Sequence, residues 1–112
     1  MTIHQDLEVY KGADKIFRFT VKDENGIAKN LTLGTGVFRI GSLKNGTLTK
    51  SIVMGIQAPE TSGIIDAEFQ TADLDSVATG VYDYQAIVTD SNSDVVPISD
   101  GKIHIKALLP TA

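Results

Sequence analysis

The chain reads with a period of two. In "KIFRFTVKD", Phe17, Phe19 and Val21 share one side, and Arg18, Thr20 and Lys22 share the other. "GIIDAEFQ" sets Ile65, Ala67 and Phe69 against Asp66, Glu68 and Gln70. "KIHIKALL" sets Ile103, Ile105 and Ala107 against Lys102, His104 and Lys106. Successive side chains of a strand point to opposite faces, so each run predicts a strand buried on one side. Seven strands are expected, near 6–10, 15–23, 36–44, 47–54, 63–70, 80–90 and 95–108. Only "TADLDSVA" (71–78) has a helical pattern, with Thr71 as its cap and Asp73 in its first turn.

Turn residues separate these runs. "DENG" (23–26) closes the second strand with a Gly able to take positive φ. "KNGT" (44–47) carries Asn-Gly, the mark of a type I′ hairpin whose two central residues both need φ > 0. "DSNSD" (90–94) leads into the last strand, inside which Gly101 reads as a bulge or, alternatively, as a break. There is no crossover helix, linker or repeat. The pattern therefore predicts one domain over residues 1–112, an all-β, immunoglobulin-like antiparallel sandwich of about seven strands with one short helical turn.

The stretch "ATGVYDYQAIVTD" (78–90) sharpens that expectation. In an immunoglobulin-like sandwich the sixth strand starts at a corner, where a Tyr turns its hydroxyl back onto the upstream backbone and its ring into the core. Gly80-Val81-Tyr82-Asp83-Tyr84 has the required spacing, with Leu74 as the apolar anchor of the approach. Tyr82 and Tyr84 share a side with Ala86 and Val88, so both rings are expected inward rather than displayed to a sugar or base.

Composition narrows the function. Ten basic against fourteen acidic side chains give a net charge of −4, and the basic residues are scattered. Nucleic acid and anionic membranes both reward clustered Lys and Arg, so neither is expected as a partner. The chain has no Cys, which excludes disulfides, zinc thiolates and cysteine catalysis and suits folding in a reducing cytoplasm. "MTIHQDLEVYKG" lacks a charged stretch followed by an apolar one, so no secretory signal is expected. No apolar run approaches the roughly 18 residues of a membrane span.

Catalytic constellations find little material. The histidines are His4 and His104, neither set in an elbow with Ser or Asp, and no Gly-rich loop precedes a helix. Asp90, Asn92 and Asp94 imitate the first ligands of a calcium loop. The pattern then fails, with Val95 at the place of the sharp-turn Gly and Gly101 at that of the bidentate Glu. Asp73 and Asp75 belong to the short helical turn as a solvated or capping surface. No catalytic, cofactor-binding or metal-binding residue is expected.

Two segments carry a family resemblance. "GADKIFRFTVKDENGIAKNLTLGTGVFRI" (12–40) has a small-polar start, Phe-x-Phe, an Asp-x-x-Gly turn and "NLT" leading into the next strand. "LDSVATGVYDYQAIVTDSNSDVVPISDGKIHI" (74–105) has Leu, Gly-x-Tyr, an Asp turn and a closing Gly-x-x strand. Together they resemble a group of small bacteriophage proteins with an immunoglobulin-like fold, found in tails and baseplates and as accessory head proteins. The group's usual Asp-Gly at the last hairpin is here "DSNSD". The resemblance implies a non-enzymatic virion protein, made in the host cytoplasm, whose partners are major capsid or tail and baseplate subunits. Head or tail location, and monomer or homo-oligomer, stay open. The alternative is a carbohydrate- or receptor-binding sandwich, which should display exposed aromatic residues.

The expected contact surface follows from parity. If strand 80–90 turns Tyr82, Tyr84, Ala86 and Val88 inward, then Val81, Asp83, Gln85, Ile87 and Thr89 face out. In the immunoglobulin arrangement this strand is flanked by the third and last strands. The candidate partner-contact face is therefore Arg39, Val81, Asp83, Gln85, Ile87 and His104, with Ile87 as an exposed apolar residue at its centre.

Overall fold

The computed structural model describes residues 3–22, 25–70 and 72–107. Its strands are β1 (Ile3–His4), β2 (Leu7–Lys11), β3 (Lys15–Thr20), β4 (Thr35–Ser42), β5 (Thr47–Ile56), β6 (Ile64–Phe69), β7 (Gly80–Thr89) and β8 (Val95–Ala107). The larger sheet runs β8-β7-β4-β5, with β1 and β2 both on the far side of β8. The smaller sheet is β3-β6, joined by the end of β5. β5 serves both: residues 47–54 pair with β4, and Gly55 and Ile56 pair with β6. The alternation in the sequence gives each sheet one apolar face, and the two faces close on each other as a sandwich.

Phe38, fully buried on β4, sits at the middle of the core. It stacks on Tyr84 at 5.1 Å between centroids and meets the edge of Phe69 at 5.4 Å. Phe17 and Phe19 each lie 6.3 Å from it. Of the core residues expected from parity, Phe19, Val21, Ile65, Phe69, Tyr84, Val88, Ile103 and Ile105 are buried. Phe17 and Tyr82 are half-buried against the same cluster.

The departures have local causes. β1 and β2 pair with β8 in parallel, so the larger sheet is mixed. Gly101 is in regular register opposite Tyr84, and the irregularity in the β7–β8 pairing lies between Ala86 and Ile87 instead. Gly101 is needed for another reason. Its φ is +145°, and a Cβ there would come 2.2 Å from the Gln5 carbonyl oxygen, where the segment between β1 and β2 passes over β8. The β4–β5 hairpin has a four-residue connection, 43–46, and only Gly46 of the Asn-Gly pair takes positive φ, so the turn is not type I′.

The expected helix at 71–78 is also corrected. Residues 72–77 form successive tight turns, with Asp75 N–H donating to Ala72 O and Val77 N–H to Leu74 O. Each of these bonds spans three residues rather than the four of an α-helix, and the turns bury Leu74 and Val77. Among the described residues the one helical element is a 3₁₀ turn at Glu60–Ser62. The proposed cap Thr71, like Asp23 and Glu24 of the 23–26 turn, lies outside the described residues.

Candidate functional site

β7 is the central strand of the larger sheet, flanked by β4 and β8. Directly paired antiparallel residues share a face, so the pairings lay out the solvent side row by row. Val53, Val37, Ile87 and Pro97 form one row across β5, β4, β7 and β8. Ser51, Arg39, Gln85 and Asp100 form the next. Leu48, Gly41, Asp83 and Lys102 follow, and then Val81 and His104, with Glu8 of β2 beside them. All six residues expected on the contact surface therefore share this face, which is apolar along the Val53-Pro97 row and mixed or polar along the others.

Ile87 is the exception in exposure. It is only 9% accessible, not the exposed centre that parity predicts. Its lateral neighbours on this face are both apolar, Val37 of β4 on one side and Pro97 of β8 on the other, where the β7–β8 register shifts. The exposed apolar surface lies around it, at Val53 (83%) and Val81 (61%).

Two shallow depressions mark the face. One, of about 180 Å³, lies over Gly41 and is walled by Arg39, Leu43, Leu48, Asp83 and Gln85. Its floor is low because Gly41 has no side chain. A Cβ there would meet the Thr47 carbonyl oxygen at 2.1 Å. Arg39 is exposed and has no hydrogen-bond or ion-pair partner among the described residues. The second depression is lined by Asp6, Leu7, Glu8, Val81, Lys102 and His104. The Asp83–Lys102 ion pair stands between the two.

Charges on this face are mostly tied. Lys102 Nζ donates to Asp83, whose other oxygen accepts the Leu43 N–H at 2.9 Å. These bonds, that from Lys102 first, hold the Asp83 carboxyl below its usual range. Glu8 is lowered likewise, chiefly by Lys106 at 2.9 Å. His4 pairs with Asp100 at the β1 edge.

The two tyrosines serve the architecture. Tyr82 donates its hydroxyl to the Ala78 carbonyl at 2.7 Å, the corner expected from the Gly-x-Tyr spacing. Tyr84 is 1% accessible; its hydroxyl donates to the Gln5 carbonyl at 2.7 Å and lies 2.9 Å from Ser99 Oγ. Burial pushes its pKa up, partly opposed by the Ser99 bond. Nothing in the local pattern marks this second role, because both partners lie on other strands or segments.

Asp90, the first residue of the calcium-like stretch, spends its carboxylate on the turn itself. Its Oδ1 accepts the N–H groups of Asn92 (2.9 Å) and Asp94 (3.0 Å), and Oδ2 lies 3.3 Å from Lys29 Nζ. The Asp94 N–H leads the causes that hold its carboxyl low. This is a polar hairpin turn closed by Ser93 at positive φ. Among the described residues no group of three His, Cys, Asp or Glu could hold a metal.

The fold has relatives among solved structures. The chain is similar to CopC from Methylosinus trichosporium OB3b, with a TM-score of 0.52 and 13% identity, covering 96% of this chain and 89% of that one. It is similar also to the fibronectin(III)-like modules of Clostridium thermocellum CbhA, with a TM-score of 0.51 and 18% identity, covering 98% and 93%. No family model and no curated protein matches the sequence. At such identities the likeness speaks for architecture alone, and the chain has an immunoglobulin-like, fibronectin(III)-like β-sandwich fold.

Proposed function

We propose that this chain is a non-enzymatic accessory subunit of a bacteriophage particle, decorating the capsid or bridging tail and baseplate components. It acts through the outer face of its larger sheet. The observation that carries the binding role is the make-up of that face. Exposed apolar side chains at Val53, Val81, Leu43 and Leu48 share that side of the molecule with Arg39, which is unpaired among the described residues, while the opposite face of the same sheet is the core. Exposed apolar groups gathered beside unspent polar ones suit a protein partner. The virion setting rests on the sequence resemblance in 12–40 and 74–105. Interlocking shape and surface contacts, not a reaction, are the mechanism.

The sugar-binding alternative draws less support. Carbohydrate sites use exposed aromatic platforms, and among the described residues only Tyr10 is both aromatic and exposed, at 40%. It lies on β2 with the Lys106 ammonium 5.9 Å from its ring centre, and it lines neither depression. The test is a protein census by mass spectrometry of density-purified phage particles. Stoichiometric recovery of this chain supports the reading; its absence from particles while abundant in the lysate contradicts it.

A further inference from the structure

β5 has an unpaired edge. Residues 47–54 are hydrogen-bonded to β4 on one side, and among the described residues no strand pairs with the other side until Gly55 and Ile56 reach β6. An open edge presents a row of free N–H and C=O groups, and natural proteins usually blunt such a row with charge, Pro or irregularity. The other edges of this sandwich are charged: β2 carries Glu8 and Lys11, and β3 carries Lys15 and Arg18. β5 carries one charge, the half-buried Lys50, and no Pro, with Leu48 (61%) and Val53 (83%) open to solvent. Its single defence is a register shift opposite Ile40 and Gly41, at its start.

We propose that this edge pairs antiparallel with the same edge of a second copy, giving a two-fold dimer in which the larger sheet continues across both chains. An isologous pairing needs the strand to complement itself, and β5 does so about Ser51. In that register Ser51 meets Ser51 of the other copy, Thr49 meets Val53, and Lys50 meets Ile52. Uncharged β-branched residues oppose each other on the outer face, and the two lysines are kept from direct opposition, where like charges destabilise. The apolar row Pro97-Ile87-Val37-Val53 then ends at the junction rather than in water. A charged strand from a different protein has nothing on this edge to match it, whereas the chain's own nearly neutral strand does. The inference does not depend on the virion reading.

Sedimentation of the full chain over a wide concentration range tests it. The wild type should pass from the 12.0 kDa of one chain to twice that mass. Val53→Lys should stay at the single-chain mass with unchanged circular dichroism, while Val95→Lys, at an exposed apolar site away from β5, should dimerise as the wild type does. Since the chain has no Cys, mild oxidation of Ser51→Cys should give a covalent dimer much faster than Val95→Cys. A wild type that stays at 12.0 kDa at the highest soluble concentration overturns the proposal. So does dimerisation of Val53→Lys, or equal cross-linking of the two Cys variants.

Discussion

Tyr84→Phe removes one oxygen and leaves the ring in place, so its effect falls mainly on the hydroxyl network. That hydroxyl meets the Gln5 carbonyl at 2.7 Å and Ser99 Oγ at 2.9 Å. Ser99 is fully buried, so its Oγ loses this partner with no water to replace it. A buried polar group left unpaired costs about 1–3 kcal/mol, and the partly buried Gln5 carbonyl adds a smaller share. The expected loss is about 2–3 kcal/mol. At about 2.1 cal/mol/K per residue, unfolding 112 residues carries about 0.24 kcal/mol/K, so the midpoint should fall by about 8–12 °C. Thermal denaturation followed by circular dichroism reads this directly. Tyr82→Phe provides the scale: its partner, the Ala78 carbonyl, is exposed, so the loss should be about 1 kcal/mol. Adding Ser99→Ala to Tyr84→Phe removes the orphaned hydroxyl and should recover part of the loss. A Tyr84→Phe variant no less stable than Tyr82→Phe would refute the reasoning.

Other outcomes follow from the same geometry. Gly41→Ala places a Cβ 2.1 Å from the Thr47 carbonyl and 3.1 Å from Leu48 Cα, both backbone. It should cost about 1–3 kcal/mol in urea denaturation, as overpacking does. Acid should destabilise the fold with a defined sign. Glu8, Asp83 and Asp90 titrate lower when folded than their usual values near 4. The folded chain thus binds fewer protons over that interval. Stability should be fully present above the unfolded carboxylate range and be lost as pH falls through the lowered folded values. Melts from neutral pH downward should show this, with a smaller acid dependence in Asp83→Asn.

The strands were legible because burial on one face writes itself as alternation. Phe17, Phe19 and Val21, or Ile103 and Ile105, carry their own side assignment. The corner was legible too, since Tyr82 and its acceptor Ala78 are four residues apart. What parity misses is anything set by a neighbouring strand. Ile87 lies on the outer side as its position requires, yet it is buried there, between Val37 and Pro97, fifty residues before and ten after it. The irregularity in β8 is not at Gly101, where the sequence suggests a bulge or a break. It falls between Pro97 and Ser99, where Ile98 is the extra residue. Leu31 is fully buried from a connecting segment that has no period to betray it. The depression over Gly41 was invisible for the same reason, because its walls come from β4, β5 and β7 together.

The central claim is that the outer face of the larger sheet is the contact surface, and particle occupancy of face variants tests it most directly. Arg39→Glu combined with Val81→Asp alters two exposed positions on that face while leaving the core untouched. Ile16→Asp, at a 54% exposed position on β3 of the smaller sheet, is the control. Particles assembled without this chain are mixed with each folded variant and the bound copies counted after density sedimentation. Full occupancy is expected for the wild type and Ile16→Asp, and none for the double variant. Full occupancy by the double variant would contradict the claim.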